Sequence, residues 1–174
     1  MNYRYIYLIK KWPSSGFGEN FDERFDYNTW TLCNFLSRHV RKLHLPTDGD
    51  YNLLSCAITK EKDHVRVCSV NCLDVSLHVS DSEIQRYLAM RSEQERFEFY
   101  FSLLERGYRL AALSHSVPID DFLRLHQQFR DLGYRNEWLF KKVMLREYGI
   151  KIILEHVLTQ YEYNLRLTVT TLKG

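Results

Sequence analysis

The sequence predicts an α+β fold: an antiparallel sheet of about five or six strands with helices packed on it, in the order β-α-β-β-α-α-β-β-β. Three observations lead there. Tyr161, Tyr163, Leu165, Leu167 and Val169 alternate with Glu162, Asn164, Arg166, Thr168 and Thr170, the period-two signature of a strand with one buried and one wet face. Between about Tyr27 and Leu132 the apolar residues recur instead at helical spacing in several blocks. Two Ser-x-x-Glu sequences, Ser80 with Glu83 and Ser92 with Glu95, fit the capping box that opens a helix.

Taken in order, residues 2–9 read as a strand, with Tyr3, Tyr5, Tyr7 and Ile9 on one side and Arg4, Ile6 and Leu8 on the other. Pro13, Gly16 and Gly18 break it, and 14–26 reads as an ordered loop. Leu32, Cys33, Leu36, Val40 and Leu43 define a helix from about Tyr27 to His44, ended by Pro46 and Gly49. Tyr51 to Thr59 is a strand, Lys60 to Asp63 a hairpin turn, and Val65 to Val79 a long second strand bulged near Ser69 to Asn71. The capping boxes open two helices, with Gly107 capping the second, and Ser116-Val117-Pro118 opens a third that Gly133 stops. From Trp138 to Leu172 the chain is consecutive strands, although the apolar run at 150–158 fits a helix as well. Leu165, Leu167 and Val169 are expected to lie in the core. The absence of a linker, repeat or low-complexity stretch makes residues 1–174 a single globular domain.

Composition narrows the function. The 24 basic and 22 acidic residues leave a net charge of only +2, without the basic stripe that marks general nucleic-acid binding, so nucleic acid is not an expected partner. The opening MNYRYIYLIKKW has no long apolar segment and is not expected to act as a secretory signal. No run of about 18 apolar residues predicts a membrane span. The four cysteines sit within apolar patterns and read as reduced, packed thiols, consistent with a cytoplasmic protein.

Candidate chemistry is sparse. His64, Cys68 and Cys72 recur every four residues, and on one strand they stand roughly 13 Å apart in succession, too far to share an ion. Ser114-His115-Ser116 reads as a turn and cap, because a catalytic base must reach its hydroxyl from elsewhere in the fold. Asp120 and Asp121 suit the first turn of a helix. Phosphate-binding glycine motifs are missing. No catalytic residue, metal or cofactor is assigned. Arg38, His39, Arg41, Lys42 and His44 form the most basic segment.

The segment Ser14 to Asp26 is the most distinctive surface candidate. Glu19, Asp22, Glu23 and Asp26 stand against the single Arg24 and interleave with Phe17, Phe21 and Phe25. An apolar anchor rimmed by carboxylates suits a basic protein partner. Asp48, Asp50 and Tyr51 form a second acidic, aromatic turn. A compact, tyrosine-rich chain with acidic-aromatic loops resembles the small immunity proteins that bacteria pair with polymorphic or contact-delivered toxins. The resemblance implies a non-catalytic protein that binds one toxin and masks its active site. If the toxin is a nuclease with a basic groove, Phe17, Glu19, Phe21, Asp22, Glu23, Asp26, Asp48, Asp50 and Tyr51 are the expected contacts. Two alternatives stand beside it: an RNA- or nucleotide-associated protein using the Arg38–His44 face, and a structural subunit that dimerises through a sheet edge.

Overall fold

A computed structural model describes residues 1–11, 17 and 19–172, with only the main chain of 19, 20, 22–24, 26 and 27. The architecture is α+β, with the strands divided between two sheets. The first is four-stranded, in the order β1-β2-β4-β3, built from β1 (Tyr5–Lys10), β2 (Leu53–Thr59), β3 (His64–Cys68) and β4 (Cys72–His78). The second is three-stranded, with β5 (Asn136–Leu145), β6 (Ile150–Leu158) and β7 (Tyr163–Thr171) side by side. Helices α1 (Glu19–Leu43), α2 (Asp81–Ala89), α3 (Glu93–Ala111) and α4 (Ile119–Asp131) complete the described elements of regular structure, apart from one short helical turn.

A single antiparallel sheet is therefore not what forms. β1, β2 and β4 run parallel, and only β3 is antiparallel within its sheet. The residues explain why. β2 reads Leu-Leu-Ser-Cys-Ala-Ile-Thr and is buried along nearly its whole length, the pattern of an interior strand rather than an alternating one. β4 inserts between β2 and β3, so Lys60–Asp63 is not a hairpin turn. The hairpin is β3–β4, turning at 69–71 with Asn71 at positive φ, where a single bulged strand was expected.

Ile6, Leu8, Leu54, Cys56, Ile58, Leu73, Val75 and Leu77 share one face of this sheet and form the core with the helices. α3 lies close against the sheet at Gly107, where an added Cβ would stand 2.4 Å from Cys56 Sγ. Gly107 is thus not a cap: the helix runs on to Ala111, and the glycine admits the sheet. Both capping boxes are present, at Ser80–Glu83 and Ser92–Glu95. Arg130 binds Glu98 through two 2.8 Å hydrogen bonds and Tyr134 donates to the same carboxylate at 2.9 Å, clamping α4 to α3.

α1 begins at Glu19, eight residues before the expected start. Phe21 and Phe25, one helical turn apart, lie on one side of α1, and Phe17, just before the helix, continues their stack. Phe21 lies 5.1 Å from Phe17 and Tyr87 and 5.2 Å from Phe25, ring centre to ring centre. The cluster continues through Tyr87, whose hydroxyl meets that of Tyr100 at 2.8 Å and accepts from Asn28 Nδ2 at 3.2 Å. No helix among the described residues is long and apolar enough to cross a membrane.

The packing makes two predictions. Gly107→Ala should destabilise the protein by about 1–3 kcal/mol through overlap with Cys56, read as a lowered denaturation midpoint at unchanged slope. His126 is buried against Phe101, 4.4 Å away, with its Nε2 3.2 Å from the Tyr108 hydroxyl. Burial depresses its pKa to about 3. The ring is neutral when folded, while the unfolded state takes up the proton first. Stability is full above about pH 6.5 and declines as pH falls towards the folded value, by on the order of 2 kcal/mol at pH 5. The melting temperature of His126→Gln should fall less between pH 7 and 5 than that of the parent; equal slopes would assign the acid sensitivity elsewhere.

Candidate functional site

The second sheet is where sequence pattern and structure part company. β6 pairs antiparallel with both neighbours, so 150–158 is a strand. Gly149 at positive φ turns the chain after Arg146–Tyr148. At the other end Thr159 Oγ1 accepts from the N–H groups of Tyr161 and Glu162, at 3.2 and 3.0 Å, closing the β6–β7 turn. Each turn is thus satisfied by its own residues, and the sheet is a self-contained unit.

Residues directly opposed in an antiparallel ladder point to the same face. One face is mixed: it carries Glu137, Lys142, Lys151, Glu155, Asn164, Arg166, Thr168 and Thr170, with Arg166 bound to Glu137 at 3.0 Å, and also Leu139, Met144, Ile153 and Val157. The other carries Trp138, Val143 and Leu145 of β5, Ile150, Ile152, Leu154 and His156 of β6, and Tyr163, Leu165, Leu167 and Val169 of β7. A bulge between Leu139 and Lys141 leaves Phe140 as the extra residue, with its ring edge-on to His156 at 4.9 Å.

The expected alternation is present, but the apolar face is uncovered. Phe140 is 61% exposed, Tyr163 57%, Leu165 56%, Leu167 63% and Val169 56%. The expectation that Leu165, Leu167 and Val169 lie in the core is overturned. The reason is placement: the helices bury the first sheet, and the second meets them only at its root.

That root is well built. Asn136 is buried; its Nδ2 donates to Thr31 O and Asn34 Oδ1, both at 3.0 Å, and its Oδ1 accepts from Arg38 Nη2 at 3.1 Å. The Arg38 guanidinium lies over the Trp138 ring at 3.9 Å. From there an aromatic row crosses the sheet: Trp138 stacks on His156 at 4.6 Å, and His156 on Tyr163 at 5.5 Å, with the Tyr163 hydroxyl hydrogen-bonded to His156 Nδ1. Beyond this row the face is aliphatic except for Phe140, Lys141 and Thr171.

The residues singled out from sequence do not assemble into one surface. Phe17 and Phe21 are core rings, not exposed anchors, because the helical spacing turns them inward. The side chains of Glu19, Asp22, Glu23 and Asp26 lie outside the described residues; their main chain occupies the first turns of α1, where the dipole favours acids. Tyr51 is fully buried and donates to Asp48 Oδ1, while Asp48 Oδ2 accepts from the Ser116 N–H at 2.6 Å. The Tyr51 hydroxyl, with help from Ser116, holds the Asp48 carboxyl below its ordinary range. Asp48 therefore ties two loops together, and Ser116 meets it through main chain rather than hydroxyl. Asp50 is exposed beside them.

Part of the basic segment is similarly engaged, while Lys42 and His44 are exposed. Arg38 holds Asn136 and Trp138, and Arg41 donates to Arg4 O at 3.1 Å and covers Tyr5 at 4.5 Å. His39 Nδ1 is 2.8 Å from Phe35 O, and burial lowers its pKa. Cys68 and Cys72 face each other across the β3–β4 hairpin rather than standing apart along one strand. Among the described residues no three His, Cys, Asp or Glu side chains converge in a possible metal site. A groove of about 300 Å³ runs between β1 and α1, lined by Tyr7, Ile9, Trp30, Asn34, Arg38 and Arg41 among others. Its thiol, Cys33, is pushed up to about 12 by burial and is no nucleophile at neutral pH.

No family model, curated protein or solved structure matches the chain.

The root predicts its own test. Asn136→Ala leaves the Arg38 guanidinium and the Thr31 carbonyl short of partners, at a cost of about 1–3 kcal/mol. Because the loss falls at the junction, amide exchange should rise in β5, β6 and β7 more than in β2 and β4.

Proposed function

We propose that this protein is a non-catalytic protein-binding module whose binding face is the apolar side of β5–β6–β7. The carrying observation is the row of large apolar side chains, each more than half exposed, on a sheet whose pattern is that of a buried one. Contiguous apolar patches beyond a few hundred Å² on soluble proteins mark interaction sites. The sheet is also pre-organised for binding. Hydrogen-bonded ladders hold its side chains in register, so little ordering entropy remains to be lost on association.

The test uses the full chain, recovered with its bound protein from the native cell and then reconstituted from purified components. Leu167→Lys should weaken the complex at least about tenfold, as loss of a central apolar contact does. The same substitution should leave the far-ultraviolet spectrum of the free chain unchanged, since Leu167 is exposed there. A stable complex indifferent to Leu167→Lys would move the binding face elsewhere.

Neutralisation of a toxin is a second reading, favoured by the acid-rich first turns of α1. In that reading Glu19, Asp22, Glu23 and Asp26 steer a basic toxin, with exposed Asp50 as a further acidic candidate. Reversal of Glu19, Asp22 and Glu23 to lysine should slow association with such a toxin, most at low salt. Unchanged association would remove these acids from the interface. The RNA-associated reading is weaker, because Arg38 and Arg41 are already committed within the fold.

A further inference from the structure

Resting on the binding-face reading, we infer that the occupant of this face is a second copy of the same chain, packed face to face so that two three-stranded sheets form a β-sandwich. Three features favour a copy over an unlike partner.

The first is area. The five most exposed residues present roughly 600 Å², and the partly covered aliphatic residues of β5 and β6 bring the face to about 800 Å². That is about what one partner contributes to a stable interface of standard size. An extended peptide would cover only part of it.

The second is charge. Lys141, at the β5 margin, is the one Lys, Arg, Asp or Glu of these strands on a face otherwise made of Leu, Ile, Val and aromatic rings, with Asn136 at its root and Thr171 at its far end. An unlike partner is ordinarily selected by complementary charge, and this face offers almost none. Two copies related by a two-fold axis need none. Their like surfaces do not repel, and Lys141 can extend its stem over the sheet with its ammonium in water. Homodimer interfaces are correspondingly the more apolar class.

The third is geometry. On the reverse face β7 is wholly polar and Arg166 pairs with Glu137, while β5 and β6 add Leu139, Met144, Ile153 and Val157 among charged residues, so the apolar character is continuous only on the proposed face, as in one half of a sandwich. Sheets stacked about 10 Å apart interdigitate side chains of the size found here. The body touches this sheet at Asn136 and Trp138, on the root row, leaving the aliphatic rows beyond it free for a copy.

Sedimentation equilibrium of the purified full chain, with amide exchange on the same samples, tests this. The parent should sediment at twice its 21.0 kDa mass. Leu167→Lys should weaken self-association at least about tenfold, shifting the protein to monomer with an unchanged far-ultraviolet spectrum, as does Leu165→Lys; Thr168→Lys, on the opposite face, should remain dimeric. A parent that stays monomeric up to about 100 µM, where even weak specific dimers populate, overturns the inference. The binding-face reading then stands or falls separately on whether a recovered partner is lost with Leu167→Lys. A dimer that survives Leu167→Lys and newly protects the outward amides of β7 also overturns it, in favour of edge-to-edge pairing.

Discussion

Everything outward of α1 depends on how that helix lies along β1. In a parallel pair the main-chain groups of alternate residues point away from the partner strand, and on β1 these belong to Ile6 and Leu8. The Ile6 N–H donates to Ser37 Oγ at 3.1 Å and the Leu8 N–H to Cys33 Sγ at 3.2 Å, while the same hydroxyl and thiol lie 3.4 and 3.9 Å from the two carbonyls. Cys33 and Ser37 are one helical turn apart, matching the two-residue step of a strand closely enough for both to reach. A buried strand edge without such partners would cost more than the bonds themselves contribute. The contact therefore fixes the rotation of α1, and with it the direction of the next residues round, Asn34 and Arg38, which hold Asn136. The same helix closes one sheet and founds the other.

The four sheet edges are treated differently. β1 is closed by α1. β3 is five residues long and turns His64 and Arg66 outward, with Arg66 paired to Asp74 at 3.1 Å, a short polar edge that discourages pairing. β5 is broken by its bulge and carries Lys141 and Lys142. β7 alone is regular over nine residues, with a single charge, Arg166, already paired. With the other three edges blunted, the open edge of β7 lies beside the uncovered apolar face. Edge pairing alone would leave the apolar side chains in water, and would double the exposed patch instead of removing it.

Much of this is legible in the sequence, and the misreadings have identifiable causes. The capping boxes, the second half of α1 and the C-terminal strands follow from local chemistry that tertiary structure does not override. The start of α1 is hidden because glycines, serines and acids suggest a loop. The four-residue spacing of Phe17, Phe21 and Phe25 is the better signal. The β3–β4 hairpin is hidden by arithmetic. Cys68 opposes Cys72, so odd-numbered residues oppose odd-numbered ones, and the apolar parity from Val65 to Val79 passes through the turn unchanged. Parallel pairing is readable only from the continuous apolar run of β2, since a period of two says nothing about a neighbour's direction. Among the site residues, Tyr51 and Asp48 are chemically suited to a surface contact yet are consumed by each other. The row from Arg38 through Trp138 and His156 to Tyr163 joins residues too distant in sequence for spacing to suggest it.

Periodicity records what a strand faces in the state in which the protein functions, whereas exposure records what it faces in one isolated chain. For β1, β2 and β4 the two agree. For β7 they disagree: the alternation is as strict as in any buried strand, yet Leu165, Leu167 and Val169 stand in water. Leu165 and Leu167, each a little over half exposed, forgo part of the roughly 1.5–3 kcal/mol that full burial would supply. A sheet built only for stability would gain from turning these residues toward α1 or exchanging them for threonine, as its own reverse face does at Thr168 and Thr170. Under the proposed pairing with a second copy, the apolar face of β7 is a core face, and the core it belongs to is completed by association.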